Sequence, residues 1–235
     1  MKQQHPIQMQ ILKRLLFTTS LRYLELKPEE LENNQFDFHL DQLIRDGHIQ
    51  KLNGLYTLSN IGKEYANRMD TDKVVMAKQA KISVLIAPVR MYKGQKQYLI
   101  YTRFKQPFYG CQGFMTGKVS FAESILDASR RELTEETNLK GNPQIVSVRH
   151  YLVLDPQTKK IVEDKIMFLC KVESPKGKLI CSDEGKFEWV DKKQVFKYIT
   201  RHFVGMKSLK DDLEDLENLP GEINFREIKH LNVYY

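Results

Sequence analysis

Three glutamates lie within five positions of one another near the middle of the chain: Glu132, Glu135 and Glu136. On a helix, residues three and four apart share a face, so these carboxylates would crowd together and repel one another. Clustered carboxylates without neighbouring lysines commonly hold a hard divalent cation, because Mg²⁺ prefers oxygen ligands and often bridges to substrate phosphates. The alternative is an acidic face that meets only solvent. The spacing of the three glutamates leaves both interpretations open.

A helix over about residues 121–138 would have to position these carboxylates. Ile125, Ala128, Ser129 and Leu133 recur at helical spacing and give that helix a face that can pack against a core. The spacing therefore predicts a helix with one buried side and one acidic side.

The glutamates belong to a longer pattern. It reads Gly117, five residues, Glu123, seven residues, and then the run Arg131-Glu132-Leu133-Thr134-Glu135-Glu136-Thr137-Asn138-Leu139. This pattern resembles the Nudix box, G-x5-E-x7-R-E-U-x-E-E-x-G-U, in which U is apolar. Asn138 stands where the family has Gly, directly after the helix. Asn is the residue that best replaces Gly in a left-handed backbone, so little loss of function is expected from this difference.

The resemblance covers about residues 80–202. The segment YLIYTRFKQPFYGCQGFMTGK, 98–118, is similar to the strand, arginine and loop that lead into the family's box. The segment DEGKFEWV, 183–190, is similar to the family's acidic segment before a Trp-bearing strand. The implied fold of residues 82–235 is an α/β/α sandwich with a mixed sheet, followed by a C-terminal extension.

The family resemblance implies hydrolysis of a nucleoside diphosphate linked to another group X, with Mg²⁺ or Mn²⁺ as the cofactor. Carried over by position, the metal ligands are Glu132, Glu135, Glu136 and the carbonyl of Gly117. Arg131 is expected to pair with Glu123 and so to orient the ligands from behind.

The expected catalytic group contains Glu135, Arg131 and Glu184, with Glu184 as the candidate general base and Asp183 as the alternative to it. Alternatively, Glu184 is an ordinary acidic loop residue without a catalytic role. Arg103 is a candidate phosphate contact or a strand-edge ion-pair partner, and Phe114 is a candidate base-stacking residue or a core residue.

Two acidic segments are given no catalytic role. Glu163 and Asp164 lie near a predicted hairpin turn and are expected to face solvent. The stretch SLKDDLEDLENLP, 208–220, is acidic and helix-like.

Residues 1–70 differ in character from the rest. Apolar residues at helical spacing predict a first helix over about 7–16, a short helix beginning at Pro28 and a third helix over about 36–46, and Asn53-Gly54 predicts a hairpin. This order resembles a winged helix-turn-helix domain, in which the third helix enters the DNA major groove. That helix would present His39, Gln42 and Arg45, among others, to DNA. Protein contact or dimerisation is the alternative role.

The charge distribution and the composition limit which functions and locations are expected for this protein. Residues 1–70 hold nine basic and nine acidic residues, so the net charge of +7 lies entirely in the remainder of the chain. This balance argues against a strongly basic DNA-binding segment at the N-terminus. No apolar run of 18 residues occurs, the N-terminus lacks the pattern of a secretory signal, and only three cysteines are present. A cytoplasmic protein without a membrane partner is therefore expected.

Together these features predict an α/β (α+β) protein with a winged-helix-like domain over 1–70, a linker over 71–81 and a Nudix domain over 82–235. The expected function is metal-dependent cleavage of a diphosphate linkage. The alternative is a winged-helix transcriptional regulator whose Nudix domain senses a nucleotide-sugar or dinucleotide metabolite. DNA and a second copy of the chain are the further partners considered.

Overall fold

The computed structural model describes residues 4–181, 183–217 and 221–231. The chain divides into two compact units, residues 1–78 and 79–235. The sequence predicts a linker over 71–81. Within it, Val75–Met76 is a short strand paired with Met69–Asp70, and Lys81 begins a long strand. Among the described residues, no helix is both long enough and apolar enough to cross a membrane.

The first unit combines short helices with a small sheet. Its elements are α1 (Pro6–Leu16), β1 (Leu21–Arg22), α2 (Tyr23–Leu26), α3 (Asn33–Arg45), β2 (Ile49–Leu52), β3 (Leu55–Leu58), α4 (Asn60–Ala66), β4 (Met69–Asp70) and β5 (Val75–Met76). The sheet has the order β1-β3-β2. The turn between β2 and β3 is formed by Asn53 and Gly54, which have φ values of 51° and 77° and so suit a tight hairpin.

The predicted first and third helices and the hairpin are present in this unit, but two details differ from expectation. The second helix begins at Tyr23 rather than at Pro28, because the Glu25 carboxylate accepts from the Arg22 N–H at 2.7 Å and caps the helix there. His39 is half-buried on α3 and stacks on His5 at a centroid distance of 4.3 Å, whereas Arg45 is exposed. The winged-helix assignment stays a prediction.

The second unit is built on one mixed sheet. Its strands are β6 (Lys81–Tyr92), β7 (Gln95–Arg103), β8 (Gln112–Gly113), β9 (Met115–Lys118), β10 (Pro143–Leu154), β11 (Ile161–Glu173), β12 (Gly185–Asp191) and β13 (Asn224–Leu231). Its helices are α5 (Ile125–Thr137), α6 (Val195–Tyr198) and α7 (Met206–Asp215). The order is β12-β7-β6-β11-β10-β13, with β8 paired to β7 and β9 paired to β6.

Strands β6 and β11 are parallel, as are β10 and β13, and the other pairs are antiparallel. The expected mixed α/β fold is thus confirmed. Successive residues of β6 alternate between the two faces of the sheet. Val84 packs in the cluster that contains Leu133 of α5, whereas Leu85 packs in the cluster that contains Leu209 of α7. Helix α5 and helix α7 therefore cover opposite faces.

Helix α5 is set by local signals at both ends. The Ser124 side chain accepts from the Asp127 N–H, so the helix begins at Ile125 rather than at 121. It ends at Asn138, whose backbone is left-handed with a φ of 58°. The helix-terminating conformation predicted for Asn138 is therefore present.

A buried ion-pair network joins α7 and β13 to the sheet. Arg149 on β10 is fully buried and contacts Asp212 at 2.7 Å and Asp215 at 2.6 Å. Arg226 on β13 contacts Asp215 at 2.7 Å. Burial raises the pKa of Asp212 to about 7, and the charge of Arg149 opposes that shift. The acidic tail of the sequence is therefore partly an internal element.

Candidate active site

A cleft of about 650 Å³ opens on the sheet of the second unit. Gly117, Glu132 and Glu136 border it near β9, and Tyr151 and His230 border it on β10 and β13. The cleft therefore crosses several strands and brings residues far apart in sequence to one surface.

Glu132 is seated directly against Gly117. A Cβ atom at Gly117 would overlap the Cγ and Cδ atoms of Glu132 and would lie 2.7 Å from its Oε1 atom. The Glu132 side chain is only 14% exposed. Burial raises the pKa of Glu132, and the hydrogen bond from Arg131 opposes the shift. A side chain at position 117 would push this carboxylate out of place, so Gly117 is needed for steric reasons.

Arg131 holds the acidic residues of the helix together. Its Nε and Nη2 atoms donate to the two carboxylate oxygens of Glu123 at 2.7 and 2.9 Å. Its Nη1 atom donates to Glu132 at 2.9 Å and to Glu135 at 3.1 Å. Nη2 also donates to the carbonyl of Lys118 at 2.9 Å. One guanidinium thus joins helix α5 to the loop before it and to β9.

The Glu123–Arg131 pair predicts a specific acid sensitivity. The hydrogen bond from Arg131 lowers the pKa of Glu123 from 4.5 to about 2. A carboxyl group with a lowered folded-state pKa stabilises the fold above its ordinary pKa, and this stabilisation is lost as the pH falls from 4.5 towards 2. Glu123→Gln should therefore be less stable than wild type at pH 7, and the difference should shrink steadily below pH 4.5. Urea unfolding across this pH range measures it.

Glu214→Gln is the matched control, because Glu214 on α7 is 57% exposed and makes only a long contact of 3.8 Å with Lys210. This surface pair should contribute little. An unfolding free energy of Glu123→Gln that tracks wild type at every pH would contradict the assignment.

The other residues predicted for the site lie in different settings. Glu136 borders the cleft, whereas the Glu135 side chain is 58% exposed and turns towards Arg131. Glu184 also borders the cleft, and its carboxylate pairs with Lys105. Asp183 is exposed. Of the two base candidates, Glu184 is the one that borders the cleft.

Arg103 and Phe114 line the cleft without presenting an open binding surface. The Nε atom of Arg103 donates to the carbonyls of Lys105 and Pro107 at 2.9 and 2.7 Å, so the guanidinium is turned to its own loop. Phe114 is 2% exposed and packs edge-on against Tyr98. Its setting is that of a core residue.

Glu163 is predicted from the sequence to face solvent, but in the structure it is buried. Glu163 is 6% exposed, borders the cleft and pairs with Lys81 at 3.1 Å and with Lys165. The period-two pattern of β11 carries the signal, because Glu163 shares a face with Lys165 and the buried Met167. Tyr151 and His230 were also missed, since neither belongs to a motif.

The carboxylates of Glu132, Glu135 and Glu136 are ligands of the type that a divalent cation prefers, although they do not converge on a single point. Within 4–181, 183–217 and 221–231, no three acidic, histidine or cysteine side chains form a group that could hold a metal ion. Instead, Arg131 donates hydrogen bonds to the carboxylates of Glu132 and Glu135. Glu132 and Glu136 nevertheless border the cleft together with Gly117, and carboxylate and carbonyl oxygens are the ligands that hard cations prefer. The residues present fit such an ion.

Comparison with known proteins agrees with this geometry. A family model described as the NUDIX domain matches residues 81–212. The mMutator MutT protein of Bacillus halodurans is similar in structure, with a TM-score of 0.53 at 22% identity over 66% of this chain and 93% of that chain. The NUDIX domain of Shewanella oneidensis NrtR, solved with ADP ribose, has a TM-score of 0.51 at 15% identity over 68% of this chain and 99% of that chain. No match was found among curated proteins. At such identities the two structures show a shared fold.

Proposed function

This chain belongs to the NUDIX family, which acts on pyrophosphate bonds, and on that premise we propose that it is a metal-dependent hydrolase of nucleoside diphosphate derivatives. The observation that carries the proposal is the seating of Glu132 on Gly117, with Glu136 beside it at the border of the cleft. Because Gly117 has no side chain, the Glu132 carboxylate can lie against it, and this close fit indicates that the position of the carboxylate is important for function.

We assign the cation, Mg²⁺ or Mn²⁺, to Glu132, Glu135 and Glu136 with the carbonyl of Gly117. Such an ion supplies neutralisation of phosphate oxygens and a lowered pKa of water. Arg131 positions these ligands from behind, since it spans Glu123, Glu132 and Glu135. The Arg131 guanidinium offsets the repulsion among the carboxylates of Glu123, Glu132 and Glu135, because all three share it.

The remaining residues act on water and phosphate. Water attacks one phosphorus of the diphosphate, and the bond from that phosphorus to the bridging oxygen breaks. We assign Glu184 to accept the proton of the water, because it borders the cleft and Lys105 orients its carboxylate. Arg103 and Lys105 also border the cleft, and to meet a phosphate Arg103 would have to leave the carbonyls of its own loop and Lys105 would have to leave Glu184.

Turnover of a substrate panel tests this function. The full chain is incubated with Mg²⁺ or Mn²⁺ and with nucleotide sugars, dinucleotide polyphosphates, ADP ribose and nucleoside triphosphates. We expect metal-dependent release of phosphate-bearing products from at least one class. Absence of turnover across the whole panel with both metals would overturn the proposal.

Metal binding should also stabilise the second unit. Repulsion among Glu132, Glu135 and Glu136 weakens the apo helix, and an ion that binds only the folded form stabilises it by about 2.7 kcal/mol at a concentration of 100 Kd. Saturating Mn²⁺ should therefore raise the melting temperature by several degrees, and Glu132→Gln should blunt the rise. An equal rise in both proteins would place the ion elsewhere.

The exposure of Arg45 on α3 supports a second candidate role, DNA binding by the first unit. Gln42 is half-exposed on the same helix, while the zero net charge of residues 1–70 opposes this role. A gel-shift assay on DNA upstream of the protein's own gene, at several salt concentrations, separates the two readings. Absence of sequence-specific binding would remove the regulator candidate.

A further inference from the structure

Two buried polar atoms in the cleft have neither a hydrogen-bond partner nor an ion-pair partner among the described residues. They are the Oη atom of Tyr151 and the Nε2 atom of His230. Tyr151 is only 3% exposed, and its ring meets that of His230 edge-on at a centroid distance of 6.5 Å. Buried polar groups in folded proteins are nearly always paired, so two such atoms together call for a partner that enters the cleft.

These two residues lie across the sheet from the acidic helix. His230 pairs with Val153 in the parallel register of β13 and β10, and Tyr151 pairs with Lys165 of β11. From β9, where Glu132 is seated, the order β9-β6-β11-β10-β13 gives four strand-to-strand steps. At about 4.8 Å a step, Tyr151 on β10 is roughly 14 Å and His230 on β13 roughly 19 Å away across the sheet.

The pair is uncharged at neutral pH. Burial lowers the pKa of His230 and raises that of Tyr151 well above its ordinary value, so an imidazole and a phenol are presented. The charged neighbours are already engaged, since Glu163 pairs with both Lys81 and Lys165 and the buried Asp212 pairs with Arg149 at 2.7 Å. The open hydrogen-bonding capacity therefore suits a neutral group rather than a phosphate.

The surroundings suit a flat, partly apolar group. Val153, Met167 and Leu209 border the same cleft beside the pair. A nucleobase combines apolar faces with an uncharged edge that donates and accepts hydrogen bonds. A sugar hydroxyl cluster would leave these apolar walls without a matching surface.

We propose that Tyr151 and His230 form the nucleobase-recognition subsite of this cleft. The inference rests on the proposed function, because it takes the substrate to be a nucleoside diphosphate derivative. His230 lies on β13, beyond residue 212 where the family match ends. Base selection is thus shared between Tyr151 of the matched region and His230 of the C-terminal extension, while the matched region also supplies the diphosphate chemistry.

The test removes one oxygen atom. Tyr151→Phe is compared with wild type for the binding of ADP, GDP, CDP and UDP by calorimetry. Turnover is measured in parallel on the four matching nucleoside diphosphoglucoses with Mn²⁺. Wild type should prefer one base, and the variant should lose that preference by about 10-fold or more. Turnover of the non-preferred substrates should fall by less than that of the preferred one. The melting temperature should not fall, because the hydroxyl has no protein partner to lose.

Tyr98→Phe is the matched control. The Tyr98 hydroxyl donates to Glu217 at 2.7 Å and does not border the cleft, so this variant should lose stability and keep its base preference. His230→Phe removes the second atom and should weaken the same base as Tyr151→Phe does.

The outcomes separate the two proposals. Base-selective binding that Tyr151→Phe abolishes, without turnover, would uphold the subsite and refute the hydrolase. Turnover with a base preference that survives in both Tyr151→Phe and His230→Phe would refute the subsite alone. Failure of wild type to bind any of the four nucleoside diphosphates would also overturn the subsite.

Discussion

Glu136→Gln is expected to lower kcat/KM for the diphosphate substrate by roughly 1,000-fold or more. A carboxylate that holds a catalytic cation contributes several kcal/mol of charge stabilisation in the transition state. About 4 kcal/mol corresponds to three factors of ten in rate. Glutamine keeps the shape of the side chain but removes its charge, so the fold should be preserved. Steady-state kinetics with Mn²⁺, together with a melting curve, give the two numbers that are needed.

Glu214→Gln serves as the control for this variant. Glu214 lies on α7, is 57% exposed and makes a long contact of 3.8 Å with Lys210. The substitution Glu214→Gln removes one negative charge, as Glu136→Gln does, but from another helix. Its kcat/KM should stay within about twofold of wild type because exposed ion pairs contribute little. If Glu136→Gln retained the activity of the Glu214→Gln control, Glu136 would not be a metal ligand.

Gly117→Ala should lower kcat/KM by about 100-fold through displacement of a neighbour. The added methyl group would overlap the Glu132 side chain, which cannot move further inward because it is already held by Arg131 at 2.9 Å. Displacement of a ligand by about 1 Å costs roughly 100-fold in a site that depends on position. The same overlap should lower stability by about 1–3 kcal/mol, as overpacking does. Kinetics and urea unfolding of one preparation measure both effects.

Gly94→Ala separates the local effect from a general loss of stability. Gly94 lies in the turn between β6 and β7 with a φ of 77°, and a Cβ there would meet no atom within 4 Å. Alanine should strain the backbone at this turn and lower stability without changing kcat/KM. Equal losses of activity in the two variants would show that Gly117 has no special relation to Glu132.

The acidic helix could be predicted from sequence because its information is local. Positions three and four apart fix which carboxylates share a face, and the left-handed conformation of Asn138 follows from its place after the helix. The start of the helix was less well predicted. Ala122 adopts a φ of 62° and Ser124 caps the helix, so the apolar spacing alone placed its beginning too early.

The far wall of the cleft could not be predicted, because it depends on pairing between distant strands. Tyr151 and His230 come together only when β13 adds in parallel to the edge strand β10. The same pairing brings Arg226 to Asp215 and buries what looked like an acidic surface tail. The motifs of a single sequence do not show which strand pairs with the edge strand of a sheet, so these contacts could not be predicted from them.

The most direct test of the central claim is hydrolysis in ¹⁸O-labelled water with Mn²⁺, followed by mass spectrometry of the products. The account predicts one ¹⁸O atom in a phosphate group of a product, no turnover after removal of the metal, and little turnover by Glu136→Gln. Label found only in the group X, or turnover that persists without a divalent ion, would contradict it.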